Sequence, residues 1–158
     1  MRGWCADTGG VAELPMQLMI GACILAFAAP IFYSAYGDLS ENITSGRMEG
    51  EIDRMIEVME QVLSGDAGSR MTIEISLEGT GSCNLEEFMI GGEPGSSRRY
   101  IISYSLSSGY QRKFSLDPPF PITGPKEEGL KLGTGDHKLT IENVEDDDRG
   151  GYLLVSLN

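Results

Sequence analysis

The side chains that could do chemistry are few and scattered. The chain has one histidine, His137, in the stretch Gly133-Thr134-Gly135-Asp136-His137-Lys138. No serine or acid lies at triad spacing around it, and a zinc site needs three or four ligands. His137 therefore reads as a structural residue between a turn and a strand. The acidic run Glu145-Asp146-Asp147-Asp148 lacks the spacing of a calcium loop, and carboxylates on successive extended residues point to alternate sides. It reads as a solvated hairpin tip. The glycine-rich turns have neither the lysine nor the following helix of a phosphate loop. The expectation is a noncatalytic chain with no metal and no cofactor.

Three further features carry covalent or charge chemistry. Asn42-Ile43-Thr44 fits the N-glycosylation sequon. Cys5, Cys23 and Cys83 give no disulfide framework, and Ile20-Gly21-Ala22-Cys23 resembles a lipobox. The context opposes lipidation at Cys23, because Glu13 and Pro15 stand where that signal needs an apolar core and the sequence stays apolar through Tyr36. Glu13 is the third feature, a carboxylate at the threshold of an apolar run. It costs free energy there unless it reaches the interface, caps the first helical turn or finds a cationic partner.

That run, residues 14–37, positions everything else. It has no charged side chain in a chain of net charge −12. A bilayer core of about 30 Å is crossed by roughly 20 apolar helical residues, so the run is long enough to span. Gln17 and Ser34 lie near its ends. Trp4 precedes it, and Phe32, Tyr33 and Tyr36 lie at its far end, as suits rings at a membrane interface. Arg2 favours a cytoplasmic N-terminus, although Arg47 and Arg54 follow the run closely. The expected topology is one span with an extracytoplasmic C-terminal domain. Of the charged residues only Arg2, Asp7 and Glu13 precede Asp38, so the negative excess belongs to that domain. Nucleic acid, which needs clustered Lys and Arg, is excluded as a partner.

Beyond the run, Met48, Ile52, Met55, Ile56, Met59, Val62 and Leu63 recur at helical spacing. This predicts an amphipathic helix within residues 38–65, with Gly65 as a left-handed cap and local weakening at Gly37, Gly46 and Gly50. Its stripe packs either on the chain's own β domain or on a partner helix. From Met71 the period changes to two, which predicts strands at 71–78, 85–90, 99–106, 111–116, 138–144 and 152–157. Three prolines make residues 117–121 an extended connector between sheets. The fold class is α+β: a leader (1–13), a transmembrane helix (14–37), its amphipathic extension (38–65) and a small antiparallel β-sandwich (70–158).

A short leader with the pair Gly9-Gly10, an apolar helix opened by Glu13, an amphipathic extension and a C-terminal β domain together resemble type IV pilin-like proteins, especially archaeal pilins and archaellum-related subunits. Glu13 and Pro30 stand at the interval that separates the recurring glutamate of bacterial pilins from their helix-kinking proline. The resemblance implies a leader cut at Gly9 or Gly10 by a prepilin peptidase. It also implies a helix that leaves the bilayer to pack in a filament core, and a Glu13 that neutralises a neighbouring subunit's amino terminus. Gly21, Ala22, Ala26, Ala28 and Ala29 would allow close helix approach, with Pro30 as a bend. The expected partners are the membrane and other copies or pilin-like subunits. The alternative is a membrane-tethered binding module of a surface-layer, secretion or motor complex, in which the helix is only an anchor.

Overall fold

A computed structural model describes residues 9–146 and 150–158, with side chains from Pro15 onward. One helix, α1 (Gly9–Leu63), is followed by eight strands: β1 (Arg70–Leu77), β2 (Leu85–Ile90), β3 (Ile102–Leu106), β4 (Gln111–Phe114), β5 (Ile122–Thr123), β6 (Leu130–Leu132), β7 (Gly135–Asp146) and β8 (Gly150–Leu157). The chain divides into two units between Asp38 and Leu39. The class is α+β.

The helix differs from expectation at both ends. It begins at Gly9, so Pro15 lies inside it rather than near its start, and Pro30 is also interior. No break occurs at Gly37, Gly46 or Gly50; the cost of about 1 kcal/mol per interior glycine is borne without interrupting the hydrogen-bond ladder. Gly65 is not the left-handed cap. The helix closes with Ser64 N–H donating to Glu60 O at 3.0 Å and Gly65 N–H to Val62 O at 3.3 Å, and the positive φ falls at Gly68. Gly65 must be small for another reason: a Cβ there would lie 2.4 Å from Ser69 Oγ.

Within the second unit the strands form two four-stranded sheets, ordered β1-β7-β8-β5 and β4-β3-β2-β6. The alternating pattern of residues 71–78 places Ile73, Ile75 and Leu77 inward and Glu74 in solvent. β1 and β8 both flank the long β7 antiparallel, and β2-β3-β4 form a meander closed by the short β3–β4 hairpin. One pairing breaks the antiparallel expectation, since β5 runs parallel to β8. The chain reaches β5 from β4 of the other sheet through the proline connector, so no hairpin fixes its direction. Pro121 cannot donate, but its carbonyl accepts from Leu153 N–H at 2.8 Å.

The predicted strand 99–106 is shortened. Ser97–Tyr100 form a 3-10 turn whose cap, Ser96, accepts from Arg98 N–H through its side chain at 3.2 Å, and the strand starts only at Ile102. β5 and β6 were not anticipated, because two or three residues show no period. Residues 147–149, which include Asp147 and Asp148 of the acidic tip, lie outside the described residues.

One apolar core joins both sheets to the helix. Met48, Ile52, Met55, Met59 and Val62 of α1 are buried together with Ile75, Phe88, Ile102, Ile141 and Val155. The amphipathic stripe is thus consumed by its own domain, the first of the two readings open from sequence. A polar clamp adds to it: Glu49 on α1 accepts from Arg112 Nη1 on β4 and, at 3.4 Å, from the Tyr104 hydroxyl on β3. Burial, and then the Glu49 charge, push the Tyr104 pKa well above the usual tyrosine range, so the phenol remains a donor. The Arg112 pair is half in solvent and contributes little by itself.

Candidate functional site

Residues 15–37 of the first unit form the most unusual surface of the chain. Ile24, Leu25, Phe27, Ile31 and Phe32 are all exposed, Phe27 to 78%. At 100° per residue these side chains cover about 160° of the helix, and Leu18, Met19 and Tyr33, exposed as well, fill the remainder, so large apolar side chains point in every direction. A soluble surface helix keeps one polar face, whereas this segment has none. By length and composition the helix can cross a membrane. Its chemistry is that of an apolar cylinder.

The residues singled out from sequence fall into three groups. Gly9 and Gly10 begin α1, while the side chain of Glu13 and the residues before Gly9, including Arg2, Trp4 and Cys5, lie outside the described residues. Pro30 sits mid-helix, where it leaves the Ala26 carbonyl without its usual N–H donor. Gly21 and Ala22 are adjacent and so face directions about 100° apart. They do not share one seam. Ala22, Ala26 and Ala29, at i, i+4 and i+7, do share one, and Gly21 and Ala28 line another. A Cβ at Gly21 would meet nothing within 4 Å, so among the described residues none requires a glycine there.

Asn42 belongs to the second unit and is exposed on α1. Thr44, its partner in the sequon, is fully buried. Its hydroxyl accepts from Thr80 N–H at 3.0 Å and points to Cys83 O at 3.5 Å. Sequence reading missed this contact, although a signal existed: Ser40 and Thr44 continue the buried stripe of Met48 and Ile52 at four-residue steps, and Ser40 is buried too. Thr44→Val should cost about 1 kcal/mol, because it removes one of the two acceptors of the part-buried Thr80 N–H, which keeps Cys83 O at 3.0 Å, together with the hydroxyl aimed at that carbonyl. Thr44→Ser should recover most of that loss. Urea unfolding of the two variants checks it; equal midpoints for Val and parent would contradict the role.

His137 is half-buried, and its Nε2–H donates to Gly133 O at 2.8 Å, a contact within the turn. Among the described residues no three His, Cys, Asp or Glu side chains gather as a metal site would require. Cys23 is a free, exposed thiol on the helix and Cys83 a free, buried one.

Comparison with protein-family models, curated proteins and solved structures returns no match.

Proposed function

We propose that the chain is a noncatalytic pilin-like structural subunit of a surface filament or related membrane assembly, held together through its N-terminal helix. One observation carries the reading. A single helix supplies a segment that is apolar on every side and exposed, and then a segment whose apolar stripe is already used inside the domain. Of the two, only the first segment leaves the bulk of its apolar surface free for contacts between chains. In this reading residues 14–37 span the membrane with the N-terminus in the cytoplasm, and the two sheets form a β-sandwich displayed outside. A prepilin peptidase removes the leader at Gly9 or Gly10, and Glu13 meets the next subunit's amino terminus. The seams at Ala22-Ala26-Ala29 and Gly21-Ala28 let helices approach closely, and Pro30 permits a bend. Glycosylation of Asn42 would precede folding, because the Thr44 hydroxyl is engaged once the domain closes.

The test replaces residues 15–36 by an unrelated apolar segment of equal length. The chain should remain in membranes and retain its folded domain, while filaments disappear from electron micrographs of cells. Filaments that persist after replacement would overturn the reading and leave the helix as an anchor for a tethered binding module. Mass spectrometry of the mature N-terminus gives the second check, with a start between Gly9 and Val11 expected.

A further inference from the structure

The outward face of α1 in the second unit holds residues that nothing among the described residues explains. Leu39, Ile43, Gly46 and Gly50 lie within about 60° of one another at 100° per residue, on the side of the helix opposite Met48 and the buried stripe. Leu39 is 57% and Ile43 43% exposed, and a Cβ at Gly46 or Gly50 would meet nothing within 4 Å. A helix face turned to water gains from charged residues and from good helix formers. Here four successive positions of the face carry no charge, and two of them hold glycine, the poorest helix former after proline. The ridge is about 16 Å long, apolar at one end and low at the other.

A second helix fits such a ridge. The aliphatic side chains leave water, and two glycines one turn apart let the backbones approach closely. The charges beside the ridge point to the same segment of another copy. Arg47 flanks it on one side and Asp53 on the other; both are exposed, and neither forms an ion pair among the described residues. Where two identical helices run parallel, opposite flanks meet, so Arg47 of each copy faces Asp53 of the other across the seam, as flanking charges do in coiled coils. Arg54 and Glu60 repeat this arrangement seven residues on. Glu49 and Glu51, further round the two flanks, are held by Arg112 and Arg54. Glu57 continues the ridge itself and would meet its own copy, so the axes cross near the glycines and part beyond Gly50. An antiparallel pair meeting at Gly46 and Gly50 fails, because it sets Leu39 against Glu57 and Ile43 against Asp53.

We propose that α1 of one copy pairs with α1 of a second, parallel and in register, across Leu39, Ile43, Gly46 and Gly50. The contact is isologous and closes at two copies. It lies beyond residues 14–37 and adds a second surface to the one through which the filament reading assembles the chain. It rests on that reading in one respect: chains anchored in one membrane present this segment parallel, at equal height and at high effective concentration.

The test uses the full chain in membranes, with Cys5 and Cys23 replaced by serine and the buried Cys83 retained. Copper-phenanthroline oxidation should link copies of Ile43→Cys, and copies of Gly50→Cys, with about fivefold less dimer for Glu57→Cys, where the axes have parted. Gly46→Leu with Gly50→Leu should cut the Ile43→Cys dimer about tenfold and yet raise the urea midpoint of the domain in detergent, since leucine is the better helix former. A merely unstable variant would lose both. Arg47→Glu and Asp53→Arg should each lower the dimer yield, and together restore it, a rescue that misfolding cannot imitate. Equal linking at Ile43→Cys and Glu57→Cys, a yield indifferent to the two leucines, or failure of the charge exchange to rescue would overturn the pairing. A dimer with the expected pattern in cells that make no filaments would uphold the pairing and defeat the filament reading. Filaments built from a chain whose Ile43→Cys never links would do the opposite.

Discussion

Two lysines in the middle of the exposed helical segment, Ile24→Lys with Phe27→Lys, are expected to release the chain from membranes. Both side chains are apolar and largely exposed, at 62% and 78%. At the centre of a span each exchange moves a residue from slightly favourable to roughly 3 kcal/mol unfavourable, so the pair shifts insertion by about 6–7 kcal/mol. That is enough to reverse a marginal partition by several powers of ten. A filament core offers no escape, because it too is apolar and a buried unpaired ammonium costs several kcal/mol. Tyr36→Lys, near the end of the segment, should be nearly neutral, since its amine can snorkel to the headgroups. Carbonate-washed membranes and the sheared extracellular fraction provide the readout. A double variant that partitions like the parent in both would mean that residues 15–37 meet neither lipid nor helices.

Features governed by local periodicity were legible in the sequence, and those assembled from distant segments were not. The strand at 71–78 and its inward Ile73, Ile75 and Leu77 follow from alternation alone, and β2 was bounded correctly because Gly91 stops it. The helical stripe from Met48 to Val62 was equally plain. The strand predicted to start at Arg99 failed because Ser96 captures the Arg98 amide in a local turn, a side-chain competition with the ladder that hydropathy does not register. β5 and β6 exist only because β8 and β2 offer them edges. Gly65 was assigned a dihedral role when its role is steric. As for the candidate site, the absence of charge over residues 14–37 was visible directly.

The extension of the helix past Asp38 has a further consequence, because it makes the two sheets dependent on α1. Five fully or almost fully buried core side chains, Met48, Ile52, Met55, Met59 and Val62, come from the helix. Burying each is worth about 1.5–3 kcal/mol, so together they contribute roughly 8–15 kcal/mol before the entropy of ordering the helix is subtracted. Domains of this size have a net stability of only about 5–15 kcal/mol. A fragment beginning at Gly68 should therefore fail to fold, with Phe88, Ile102 and Ile141 left facing water. The loss also includes one of the two acceptors of the Thr80 amide, the Thr44 hydroxyl, and the Glu49 clamp on Tyr104 and Arg112. A fragment beginning at Leu39 retains all of these contacts and omits the apolar segment, so it should be soluble and unfold cooperatively. Near-ultraviolet circular dichroism and amide proton dispersion distinguish the two fragments. A Gly68 fragment with dispersed amides and a sharp urea transition would show that the helical stripe is dispensable to the domain. The stripe would then be available for contacts between chains, and the division of labour within α1 on which the filament reading rests would be lost.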